Sequence, residues 1–314
     1  MLYAAENPPF GAVFTYFLKD GLKSKRDTRR EAERKKDAPT PAYPTLDALR
    51  AEAEEEAPAV VFTITDATGR AVRQVTGPVG KGFNRVAWDL REPAAVVARG
   101  GGDGLSEEAG GRPQPQGNLV MPGVYKVQMQ TRVDGVLTAV GEARSFRVVS
   151  DGTNETEFRL LTEFQQKVSR LQKAVNATVD GMEGARAKAA ALRSAAALTP
   201  GLPAKAMQDL RAVEQKLGAM RRTVSGDAFA AGRYEGTPTS ISGRVNSILF
   251  SSRGGTGRPL GSWVDGYAVA ARELQREVEK LRVILDVDLK ALDKTFDAAG
   301  APATPGRLPS FPLQ

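Results

Sequence analysis

Apolar and polar positions change their period twice along the chain. Phe10 to Leu18 (FGAVFTYFL) is a continuous apolar, β-prone run after Asn7-Pro8-Pro9, the pattern of a strand buried on both faces with a neighbour on each side. Gly21 ends it, and the charged stretch Ser24 to Asp37 has helix-forming composition without a broad apolar stripe, which predicts an exposed helix or connector. Pro39, Pro41 and Pro44 interrupt it, and Thr45 to Glu56 predicts another short polar helix. From Ala59 the pattern becomes that of strands. Val60 to Thr65, the turn Asp66-Ala67-Thr68-Gly69 and the return Ala71 to Val75 read as a β-hairpin. Further strands are expected at Arg85 to Asp89, Val124 to Gln130 and Ser145 to Val149, with Asp134-Gly135 turning a second hairpin. The Gly- and Pro-rich segment Arg99 to Asn118 between them predicts a long loop.

After Asp151-Gly152 the period becomes helical. Leu161, Phe164, Val168, Leu171, Val175, Thr178 and Met182 recur at alternating spacings of three and four, a heptad-like seam. Leu210, Val213, Leu217, Met220 and Val224 form a second stripe beyond the break Pro200-Gly201-Leu202-Pro203. A third runs through Tyr267, Ala271, Leu274, Val278, Leu281 and Leu285, and continues in Leu289, Leu292 and Phe296 on a slightly shifted line. The expected fold class is therefore α+β and multidomain, an immunoglobulin-like β-sandwich followed by an antiparallel helical bundle, with Ser240 to Phe250 as a short helix inside a connection. The divisions are 1–57, a strand and a charged helical connector; 58–150, the sandwich with its loop at 99–118; 151–299, the bundle; and 300–314, an extended tail.

Composition narrows the chemistry. The 314 residues contain neither histidine nor cysteine, which removes Ser-His-Asp and Cys-His machinery, the usual zinc and haem ligands, and any disulfide framework. No cofactor or metal is expected. The net charge of +7 comes from 44 basic residues interleaved with 37 acidic ones, and the densest basic stretch, Lys23 to Lys36, carries Asp27, Glu31 and Glu33, so a solvated helix face is favoured over a nucleic-acid site. No apolar run is long enough to span a membrane, and Met1 to Phe10 lacks the pattern of a signal peptide.

The candidate sites read better as structure than as catalysis. Gly100-Gly101-Gly102 and Gly254-Gly255-Thr256-Gly257 lack the flanking strand, helix and Gly-Lys-Ser/Thr of a phosphate loop. The carboxylate pairs Asp89 with Glu92 and Glu107 with Glu108 are neighbours in sequence only. Trp88 shares a strand face with Val86 and is assigned to the core rather than to sugar stacking, the other use open to Trp88 and Trp263. Asn84, Arg85, Trp88 and Asp89 are together expected to form a structural motif, with no catalytic residue in the chain.

The segments Glu6-Asn7-Pro8-Pro9-Phe10-Gly11-Ala12-Val13-Phe14-Thr15-Tyr16, Gly82 to Arg91 (GFNRVAWDLR), Pro122 to Val127 (PGVYKV) and Gly300-Ala301-Pro302 with Pro305-Gly306-Arg307 resemble the C-terminal region of large secreted bacterial proteins. Those proteins carry sortilin-like or BNR-type β-propellers and are often labelled glycosyl hydrolases. The propeller motif Ser-x-Asp-x-Gly-x-x-Trp does not occur in this chain. The resemblance implies a periplasmic or extracellular location and a propeller domain or subunit as partner, with the Phe10 to Leu18 strand leading out of it. A second copy of the chain, joined through the bundle, is a further candidate partner. The expected function is a non-catalytic accessory module. Its alternatives are a region that shapes the cleft of a glycosyl hydrolase-like enzyme or peptidase through the 99–118 loop, and a polysaccharide-binding sandwich.

Overall fold

The computed structural model describes residues 10–34, 43–95, 116–150, 152 and 154–307. The fold is α+β, and the chain divides into two compact units after Glu155.

Among the described residues the first unit holds two antiparallel sheets. β1 (Ala12–Leu18) pairs with β4 (Gly82–Trp88), in a register that sets Ala12 opposite Trp88 and Leu18 opposite Gly82. The second sheet is built around β2 (Ala59–Asp66) and the long β5 (Gly123–Val133), which pair along their length. β3 (Ala71–Gly77) lies on the free side of β2. The free side of β5 is shared by two short strands, β7 (Arg144–Val148) against its first half and β6 (Val136–Ala139) against its second. Apolar side chains of the two sheets meet in a common core. Phe14 of β1 stacks on Phe62 of β2 at 5.6 Å and meets Phe146 of β7 edge-on at the same distance. Tyr16 packs on Phe62, with its hydroxyl donating to the Pro78 carbonyl and its pKa pushed up to about 12 by burial. The ring lies so close to Gly77 that a Cβ there would come within 2.4 Å of the hydroxyl.

The hairpin expected at Asp66 forms as an Asx turn. The Asp66 carboxylate accepts from the Thr68 hydroxyl at 2.6 Å, from the backbone N–H groups of Thr68 and Arg70, and from the Arg70 guanidinium at 3.1 Å. These donors, the Thr68 hydroxyl first, lower its pKa from the ordinary 3.8 to about 2. A carboxylate with a depressed folded-state pKa stabilises the fold above its unfolded value, and that contribution is lost as pH falls through the folded one. The urea midpoint of the first unit should therefore fall from pH 4 to pH 2, and Asp66→Asn should flatten that slope while lowering the midpoint at pH 7.

Two expectations for this unit are corrected. The run Phe10 to Leu18 is not buried on both faces and does not stand apart in a 1–57 segment. Among the described residues β4 is its only paired neighbour, so β1 belongs to the same unit as the strands after residue 58, and Val13, Thr15 and Phe17 face outward. One-sided pairing leaves the other edge of β1 open, and the second sheet covers only the face that carries Phe14 and Tyr16, so the opposite face meets solvent whatever its composition. The charged segments do form polar helices, α1 (Lys25–Glu33) and α2 (Leu46–Ala53), capped by the side chains of Ser24 and Thr45 and joined by a two-pronged Arg29–Glu52 pair at 2.7 and 2.9 Å.

The second unit is a helical bundle of three rods. The first is α3 (Glu155–Ala196), about 63 Å long at 1.5 Å per residue. The second is made of two helices, α4 (Ala204–Ser225) and α6 (Ile241–Ser252), between which the chain makes an exposed excursion containing the single turn α5 (Ala228–Ala231). The third is α7 (Gly261–Val283) and α8 (Leu289–Ala298), continuous through a π-helical turn at Ile284–Asp288. Side-chain pairs set the directions. Arg193–Glu214 and Glu183–Arg221 run α4 antiparallel to α3, and Gln172–Asn246 and Gln165–Ser252 do the same for α6. Phe164–Tyr267 and Lys188–Asp293 set α7 and α8 parallel to α3.

The third stripe is corrected in detail. The buried line through α7 is Ala270, Leu274, Glu277 and Leu281, followed by Ile284, whereas Val278 and Tyr267 are only half-buried and Leu285 is exposed. From Ile284 the line passes to Leu289, a step of five residues that an α-helix would carry off the seam and that a π turn returns to it. The slightly shifted stripe seen in the sequence is this turn. The tail, expected to be extended, instead turns back over residues 304–307: Arg307 donates to Asp297 at 2.7 Å and to the Ala301 carbonyl at 2.9 Å and is itself buried. Residues 308–314 lie outside the described residues. No helix among the described residues is long and apolar enough to cross a membrane.

Candidate functional site

Of the four residues expected to form a structural motif, Asn84, Arg85, Trp88 and Asp89, three hold backbone in place. The Asn84 amide donates to the carbonyls of Gly80 and Gly82 at 2.7 and 3.1 Å, fixing the turn into β4. Trp88 is wholly buried, meets Tyr125 and Phe146 edge-on at 5.6 and 6.1 Å, and donates from Nε1 to the Arg91 carbonyl at 2.9 Å. Asp89 accepts from the Arg91 N–H at 3.2 Å. Arg85 departs from the group: it stands exposed on the outward face of the sheet, opposite Thr15.

This turn anchors the stem of the long loop. Arg91 bridges to Leu119, Val120 donates to the Leu90 carbonyl, and the Arg91 guanidinium donates to the Gly117 carbonyl at 3.0 Å. Gly117 passes so close to Glu92 that a Cβ would lie 1.9 Å from its carbonyl oxygen. The stem is therefore built from backbone contacts. Glu92, paired with Arg70 at 3.5 Å, and Asp89, committed to Arg91, do not form a two-carboxylate site. Glu107, Glu108, Gly100-Gly101-Gly102 and the rest of the loop from 96 to 115 lie outside the described residues. Gly254-Gly255 follows α6, where Gly255 donates to the Ser252 carbonyl, with no strand before it. Among the described residues no group of three acidic residues is arranged to hold a metal ion.

Two surfaces stand out instead. The first is the outward face of the β1–β4 sheet. Phe17 and Phe83 are cross-strand partners with ring centroids 5.1 Å apart, yet they are 57 % and 83 % exposed; Val13 lies on the same face, and the neighbouring Phe10 is 71 % exposed. Large apolar side chains gathered on one face mark an interaction surface more often than a solvated one. The second is a cleft between α4 and the π turn, where the seam residue Glu277 is buried and bonded to Lys280. The sequence reading missed both. The Phe17–Phe83 pairing depends on register between strands far apart in the chain. Glu277 stands three residues after Leu274 and four before Leu281, a spacing compatible with the seam, but its charge reads as that of a surface residue.

Comparison with protein-family models, with curated proteins and with solved structures returns no match for this chain.

Proposed function

We propose that this chain is a non-catalytic interaction module of a secreted bacterial protein of the sortilin-like type, whose first unit docks on a β-propeller through the outward face of β1 and β4. The observation that carries this reading is the exposed Phe17–Phe83 pair, with Phe10 and Val13 beside it, on a sheet whose first strand is paired on one side only among the described residues. A face of this kind gains stability when covered, at roughly 25 cal/mol per Å² of apolar surface removed from water. The first unit further fits an immunoglobulin-like sandwich: two antiparallel sheets share a core, a wholly buried Trp88 packs on its aromatic partners, and the Tyr125 hydroxyl at the start of β5 donates back to the Met121 carbonyl at 2.6 Å, in the manner of a tyrosine corner. The periplasm or cell exterior is the matching location.

Lysine-directed cross-linking of the protein in its source tests this reading, because Lys19 and Lys81 flank the aromatic pair at the Leu18–Gly82 end of the sheet. Cross-links from both lysines into sequence bearing propeller repeats are expected, and Phe17→Ser with Phe83→Ser should remove them. Cross-links confined to the chain itself, or to another class of protein, would overturn the proposal.

A further inference from the structure

The cleft beside the π turn is open to solvent and measures about 390 Å³, within the range of small-molecule pockets. Its floor and walls are Ala219, Met220 and Thr223 from α4 and Val283 and Ile284 from the third rod. π turns within α-helices recur at functional sites, because the extra residue opens the ladder and re-aims the side chains around it. Here the turn follows directly on Val283, which is half exposed at the mouth, while Ile284 is buried.

A buried carboxylate also lines this apolar cleft. Glu277 occupies a seam position where leucine would pack, and burying a carboxylate there costs stability unless it is paired. Its partner is Lys280, one turn along the same helix, at 2.7 Å. The two ends of this pair are held very differently: the Glu277 side chain is 7 % exposed and the Lys280 side chain 64 %. The anion is fixed by the fold, whereas the cation reaches in from water on a flexible stem and can be exchanged for another.

We propose that this cleft binds a small amphipathic amine, its alkyl body against Met220, Val283 and Ile284 and its ammonium on the Glu277 carboxylate in place of Lys280. Exchange of one ammonium for another leaves the buried charge paired throughout and returns Lys280 to solvent, where it is fully hydrated. An anionic amphiphile fits poorly. It would have to draw Lys280 away and leave Glu277 buried without a partner, and the other lysine at the rim, Lys216, is held by Asp288 at 2.6 Å. A neutral alcohol fills the apolar part and leaves the carboxylate to Lys280.

Calorimetric titration of the full chain with n-octylammonium chloride, at concentrations below micelle formation, tests the site, with octanoate and 1-octanol as comparisons. One saturable site for the amine is expected, with the acid and the alcohol at least ~10-fold weaker, the scale of one charge-assisted hydrogen bond. Lys280→Ala, a change at an exposed side chain that leaves the seam intact, should tighten amine binding by ~10-fold by removing the internal competitor. Glu277→Gln, close in shape, should weaken it by ~10-fold and erase the preference over the alcohol. The proposal is overturned if octanoate or 1-octanol binds as tightly as the amine, if Lys280→Ala leaves amine affinity unchanged, or if neither the natural chain nor Lys280→Ala shows a saturable site.

Discussion

Replacing Trp88 by alanine should remove about 3–5 kcal/mol from the first unit, the usual range for deleting a large buried aromatic. The side chain is wholly buried and touches both sheets, since it belongs to β4 and packs on Tyr125 of β5 and Phe146 of β7. Its Nε1–H also satisfies the Arg91 carbonyl, in the turn that carries the loop stem. Trp88→Phe separates the two roles. It keeps an aromatic ring in the core and leaves that carbonyl without its donor, which costs about 1–3 kcal/mol where no water replaces it. Urea titration followed by circular dichroism measures both variants. The transition of the first unit should move to lower urea in the order Phe, then Ala, while that of the helical unit, which has its own core, stays in place. A shift below about 1 kcal/mol for Trp88→Ala would mean that the sheets do not depend on this contact.

Deletion of the single residue Lys173 should abolish cooperative melting of the helical unit, whereas deletion of Val287 should leave its melting temperature within a few degrees of the natural chain. Removing one residue from an α-helix turns everything beyond it by about 100°. In α3, which is α-helical from Glu155 to Ala196, loss of the exposed Lys173 would swing Val175, Met182, Ala185, Ala189 and Leu192 away from the other rods. The third rod already contains one residue more than an α-helical seam requires, taken up by the π turn at Ile284–Asp288. Val287 is 59 % exposed within that turn, and its loss brings Ile284 and Leu289 to the ordinary spacing of four, with Leu292 and Phe296 still on the seam. Thermal melts at the helical dichroism band compare the two. Equal damage would show that the π turn is required by the packing rather than tolerated by it.

Much of this architecture was legible from period alone. The β-branched and aromatic run Val60 to Thr65 and its return Ala71 to Val75, with an Asx-forming turn between, specify a hairpin because such residues favour the pleated strand and Asp66 offers its own backbone a hydrogen-bonded turn. The three helical stripes were legible for the same kind of reason, since spacings of three and four leave a chain few ways to bury its leucines except against other helices. The end of the third stripe was harder. A π turn leaves only a step of five in the apolar line, which a reader of heptads takes as drift.

The candidate surfaces were less legible, because each depends on residues brought together from distant parts of the chain. Phe17 belongs to a run that reads as interior, and nothing local reveals that its face is left open and that Phe83 stands across from it. Glu277 reads as an ordinary surface charge until α4 is placed beside it with Met220 and Thr223. The chain's own sequence determined its elements, its chemistry without histidine or cysteine, and the places where one period gives way to another, since these follow from local sterics and residue type. The tertiary structure alone decided which apolar face lies uncovered and which carboxylate is buried, because solvent exposure belongs to the packing of distant segments and not to any one of them.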